Sequence, residues 1–109
     1  MKLPNGDRAI VDIRKLLDYC LNLQHPRGRN KARVFAAVGI RDSDAEMLRL
    51  AILAAAGEME AHPGVPTVHG QRYTVDFDLA VQDRTVKIRS AWIVKLEDDL
   101  PRLTSCYVL

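Results

Sequence analysis

The chain has 109 residues, 48% of them apolar and 28% charged. That length fits one domain and buries roughly 65% of the surface an unfolded chain exposes, which supports a core without staples. The composition excludes wholesale disorder, a collagen-like repeat and a disulfide scaffold. Sixteen Lys and Arg against fourteen Asp and Glu leave a net charge of only +2, so the total points to no polyanionic partner and only the placement of charge can do so.

Pro4, Asn5, Gly6 and Asp7 make a turn-prone lead-in. The start lacks the continuous apolar run of a secretory signal, and the most apolar stretch, residues 50–56, is too short to span a bilayer. A cytoplasmic protein with no membrane association is expected.

A first helix is predicted over residues 12–22: Ile13, Leu16, Leu17, Cys20 and Leu21 recur at the helical period, with Asp12 as cap. His25-Pro26-Arg27-Gly28 breaks it. A second helix is predicted over residues 30–38, with Gly39 suited to a left-handed stop. The third opens on Ser43-Asp44-Ala45-Glu46, which fits a capping box from Ser43 to Glu46, and Gly57 marks its end. Two prolines and a glycine make residues 61–66 a loop.

From Tyr73 the period changes to two: Tyr73, Val75, Phe77 and Leu79 alternate with Thr74, Asp76, Asp78 and Ala80, as in a strand with one wet face. Residues 82–84 suit a hairpin turn. Residues 85–95 form a second strand, which places Lys87 and Arg89 opposite Ile88, Ser90 and Trp92, with Trp92 read as core. Residues 103–109 form a third, with Thr104 and Cys106 on one face and Ser105 and Tyr107 on the other. Helices first and strands afterwards predict an α+β domain, three N-terminal helices packed on one face of a C-terminal antiparallel sheet of three to four strands. The opposite sheet face is then free to work.

Cys20 and Cys106 have no CxxC partner and read as buried small hydrophobes, with a disulfide between them left open. His25, His62 and His69 are spaced unlike any compact metal motif, and His62 and His69, flanking a Pro/Gly loop, read as surface residues. GxGxxG, Walker and GxSxG patterns are missing, so neither a cofactor nor an α/β-hydrolase mechanism is expected.

Charge is concentrated in one place. No Asp or Glu falls between Asp18 and Asp42, where Arg27, Arg29, Lys31, Arg33 and Arg41 follow His25 around a turn that opens a helix. Outward amides and cations there suit a phosphate, most naturally of RNA or DNA. The other reading is a solvated helix face neutralised by Asp42, Asp44, Glu58 and Glu60.

The segment from Leu16 to Asn22, the block His25-Pro26-Arg27-Gly28-Arg29-Asn30-Lys31-Ala32-Arg33-Val34-Phe35 and the later runs Arg89–Val94 and Pro101–Tyr107 resemble a bacterial family described as a domain of unknown function, which carries H-P-x-G-x-x-K-A-x-x-F. The resemblance covers nearly the whole chain. That family in turn looks like the barnase/EndoU/colicin/RelE-like ribonuclease modules of bacterial toxins.

The resemblance implies a metal-independent endoribonuclease, in which the RNA's own 2′-hydroxyl attacks phosphorus. The protein then supplies a base, an acid and cations for the charge that builds up. It assigns His25 as base or acid, Lys31 to the phosphate, Arg89 to transition-state charge, and Thr104 and Tyr107 to orienting the scissile group. Arg27, Arg29 and Arg33, from the acid-free window, are expected to bind phosphate. His25 is open to a second role, tying the His-Pro turn to backbone. The partners expected are RNA and a cognate antitoxin-like protein. The alternative is a non-catalytic interaction module, antitoxin- or immunity-like or an inactive relative, motivated by near-neutral charge and the lack of an evident acid/base pair.

Overall fold

A computed structural model describes residues 1–109. The first helix starts where its cap predicts: Asp12 Oδ1 accepts the Arg14 amide at 3.0 Å. One α-helical turn, α1 (Ile13–Lys15), then widens into a π-helical turn over Leu16–Cys20, closed by the Leu21 amide on the Leu16 carbonyl at 2.8 Å. Leu16, Cys20 and Leu21 enter the core, while Tyr19 stays half-exposed. π turns are rare and gather at functional sites.

The second helix, α2 (Arg29–Ala37), ends as expected on Gly39 in the left-handed region, φ 94°. The third, α3 (Ala45–Glu58), departs from its predicted cap. A 3-10 turn, Asp42–Asp44, precedes it, and Asp44 Oδ2 accepts the Arg41 amide at 2.9 Å. Glu46 instead grips Arg49. The box has slipped two residues upstream because a carboxylate three residues after Arg41 reaches back across the tight turn. Gly57 lies within the helix, which runs one residue further.

The sheet is an antiparallel meander in the order β1-β2-β3-β4, formed by Ala61–Pro63, Gly70–Val81, Arg84–Lys95 and Arg102–Val108. β1 lies within the segment predicted as loop. Its proline is tolerated because it closes a three-residue edge strand, where no ladder donor is required of it. The hairpin between β2 and β3 turns on Gln82 and Asp83, with Gln82 left-handed at φ 56°. Between Ala91 and Trp92 the register with β4 shifts, so that Ser105 faces Ala91 and Leu103 faces Trp92. This bulge at Thr104 overturns simple alternation: Leu103 and Cys106 are both buried, and Thr104 is displaced from the Cys106 face.

The helices cover one sheet face, as the order of elements predicts. Val75, Phe77, Ile88, Trp92 and Cys106 meet Phe35, Leu48 and Ile52 in one cluster of 21 buried residues. Trp92 belongs to this core, and its Nε1 donates to Ser90 Oγ at 2.9 Å, which in turn donates to the Val75 carbonyl at 2.8 Å. No helix is long and apolar enough to cross a membrane.

Candidate functional site on the open sheet face

The strand registers build the uncovered face row by row. Asp76, Arg89 and Tyr107 are direct neighbours across β2, β3 and β4; Asp78 and Lys87 form the row on one side, and Thr74, Ala91 and Ser105 the row on the other. His62 on β1 stands opposite Thr74. All three members of the central row are half-exposed. Arg89 grips Asp76 with two bonds, Nε to Oδ1 and Nη2 to Oδ2, each 2.8 Å, and stands directly opposite Tyr107. The guanidinium holds the Asp76 carboxyl below the usual carboxylate range, burial opposes this, and the nearby His62 adds to the lowering.

The row continues around the β4 edge into the helical layer. Lys31 Nζ lies 5.8 Å from the centre of the Tyr107 ring and 4.8 Å from that of Tyr19, and donates to the Tyr19 hydroxyl at 2.8 Å. No carboxylate forms an ion pair with Lys31. Tyr19 then meets His25 edge to face, ring centres 4.9 Å apart. His25, Lys31, Arg89 and Tyr107 are therefore joined in one continuous chain with Asp76 and Tyr19, although they come from a turn, a helix and two strands.

His25 is committed to the local backbone. Its Nδ1 accepts the amides of Arg27 and Gly28, each at 3.0 Å, which leaves the ring hydrogen on Nε2 and only that edge for an outside partner. The ring lines a cleft of about 460 Å³ with Asp12, Asp18, Tyr19, Arg27 and Thr104. Thr104 also lines a second cleft, about 440 Å³, with His62, Arg72 and Thr74, while its hydroxyl donates to the Ala91 carbonyl at 3.1 Å. It marks the junction of the two.

Arg29 and Arg33 do not join the group. At 100° per residue each lies about 160° around α2 from Lys31, on the other flank of the helix. Both are exposed. Lys87 lies on the open face but pairs with Asp78 at 3.3 Å.

Three participants escape sequence reasoning. Asp76 reads as one member of an alternating strand, and only the register places it against Arg89. His62 reads as a surface loop residue because β1 itself is hidden by Pro63 and Gly64. Tyr19 occupies a helical segment, and the phenol's turn toward Lys31 has no sequence signal.

A small α+β domain with helices on one sheet face and a charged, aromatic-edged opposite face is the class these features define. The chain belongs to the family described as Domain of unknown function (DUF6883), which it matches over residues 2–109. No curated protein and no solved structure matches it. The family match spans the block from His25 to Phe35 and brings no ribonuclease or toxin relative with it.

Proposed function

We propose that the open sheet face binds RNA through its phosphate backbone and cleaves it without a metal ion. One observation carries this reading: Lys31 and Arg89, cations from a helix and a strand remote in sequence, flank Tyr107 at the β4 edge of the face no helix covers. Phenol rings beside an ammonium without a carboxylate offer a base a stacking surface next to a phosphate contact. Two of the five guanidinium N–H bonds go to Asp76, leaving others for Tyr107 and a phosphate oxygen.

In this reading His62, beside the Asp76 charge, takes the 2′-hydroxyl proton as that oxygen attacks phosphorus. Arg89 and Lys31 neutralise the charge that develops on the non-bridging oxygens. As the bond from phosphorus to the 5′ oxygen breaks, Tyr107 gives that oxygen its proton and later regains one from solvent. The products carry a 2′,3′-cyclic phosphate and a free 5′-hydroxyl. Thr104, at the junction of the clefts, orients the sugar, and Arg27 engages a neighbouring phosphate. His25 acts through the turn it holds, and Arg29 and Arg33 serve flanking backbone contacts. A cognate antitoxin-like protein would silence the activity by covering the same face.

The test is incubation of the purified protein with total RNA in EDTA, beside Lys31→Ala and His62→Ala. Cleavage to cyclic-phosphate ends is expected, falling on the order of 10²-fold or more in each variant. Intact RNA with the unaltered protein, or equal cleavage by all three, would overturn the reading.

A second reading, a non-catalytic interaction module, is favoured by two facts: His25 Nδ1 is held by backbone amides, and Arg89 and Lys87 are each paired with an aspartate. It expects intact RNA and normal growth on expression, where the first expects growth arrest.

A further inference from the structure

Behind the Lys31 site two cysteines lie in contact. Cys20 closes the π turn and Cys106 sits in β4, both fully buried. The Cys106 amide reaches Cys20 Sγ at 3.4 Å, and the Ser105 hydroxyl lies 4.0 Å from the same sulfur. Their sequence neighbours are the two phenols of the site: Tyr19 precedes Cys20 and Tyr107 follows Cys106. The segments that clasp Lys31 are thus the same two segments the thiols connect.

We propose that Cys20 and Cys106 form a reversible intramolecular disulfide that ties the π turn to β4 and fixes the frame of the Lys31 site. The approach of Cys106 to the Cys20 sulfur stands by itself, whereas its bearing on the site rests on the function proposed above. With hydrogen peroxide as oxidant, the Cys20 thiolate attacks one peroxide oxygen, the O–O bond breaks and hydroxide leaves, giving a sulfenic acid. Cys106 sulfur then attacks Cys20 sulfur, the S–O bond breaks, and a second hydroxide leaves. The protons of the two thiols convert both hydroxides to water, so the protein loses two hydrogens and two electrons. A dithiol reductant reverses the change by thiol–disulfide exchange.

The polarity of the pair suits these roles. The neighbouring Cys106 thiol, above all, brings the Cys20 thiol down to about 7, burial opposing, and the Cys106 amide, Ser105 and the Lys31 charge assist. Cys106 moves the other way, pushed up by the neighbouring Cys20 and by burial. Cys20 is the attacking sulfur and Cys106 the resolving one.

The experiment treats the whole chain with peroxide under native conditions, alkylates free thiols and measures the intact mass. Then it follows thermal unfolding with and without reductant. A monomer that has lost two hydrogens and takes up no alkyl group is expected, with Tm raised on the order of 10 °C by closure of so long a loop. Cys106→Ser should stop at an overoxidised or alkylatable Cys20. Two alkylated thiols, an intermolecular dimer, or a disulfide formed only in denaturant would overturn the proposal. None of these readouts uses RNA, so a protein inert toward RNA can still pass, and a ribonuclease can still fail. Tighter RNA retention on oxidation, reversed by reductant, would link the two.

Discussion

Asp76 occupies Arg89 along one edge of the guanidinium, with Nε and Nη2 each 2.8 Å from a carboxylate oxygen. The pair separates binding from cleavage, because the carboxylate neutralises the strand cation while standing beside His62. Replacing it by the isosteric amide, Asp76→Asn, releases Arg89 for phosphate and removes the charge beside the proposed base. RNA binding is expected to tighten at low salt, with the slope of log K against log salt steeper by about one. Cleavage should fall at the same time. Filter binding over a salt series and a cleavage assay check the two arms, and an unchanged slope would show that Arg89 never meets the backbone. At this scale the sequence exposes cations and conceals partners. Arg89 and Lys31 stand out as charges, but Asp76 is one of fourteen acids and becomes specific only through strand register, which composition and period leave free.

The His-Pro-x-Gly turn shows how an element is fixed by contacts that no periodic pattern encodes. The imidazole binds two amides of the turn, and Gly28 packs so closely on the π turn that a Cβ there would lie 2.2 Å from the Tyr19 carbonyl oxygen. Backbone cannot yield to that overlap as a flexible side chain would. Gly28→Ala should therefore cost about 1–3 kcal/mol through overpacking, lowering Tm by roughly 5–15 °C. It should also displace Tyr19 from Lys31, which the tyrosine ring resonances in an NMR spectrum would register. A variant with wild-type Tm and unshifted rings would mean the turn is not seated on the π turn. The three helices and the long strands are legible because each has an apolar stripe of the right period. The π turn is not, since one wider turn leaves the spacing of Leu16 and Cys20 helical to the eye. β1 is illegible for the opposite reason: three residues ending in proline have no period at all, and only pairing with β2 makes them a strand. The loss of β1 from the sequence reading also removes His62 from view.

Across the whole molecule, acid sensitivity follows from how the carboxylates are held. Asp76 is depressed chiefly by Arg89, Glu46 by Arg49 and Asp98 by Arg102, with burial opposing each. A carboxyl whose folded pKa lies below its unfolded value binds more protons in the unfolded chain. Its contribution to stability is present above the unfolded value, ordinarily near 4, and is lost as pH falls through the lower folded value. Tm is therefore expected to be level as pH falls from 7 toward 5 and to decline below about 4. The pairs are largely exposed, so the decline should be shallow and should flatten further in high salt. Since Asp76 and Glu46 lie on separate elements with no shared partner, Asp76→Asn and Glu46→Gln should each remove part of the acid limb, and together the sum of the two. Calorimetry from pH 7 to 2.5 at low and high salt measures this directly, and an acid limb untouched by both substitutions would place the acid-labile contacts elsewhere in the fold.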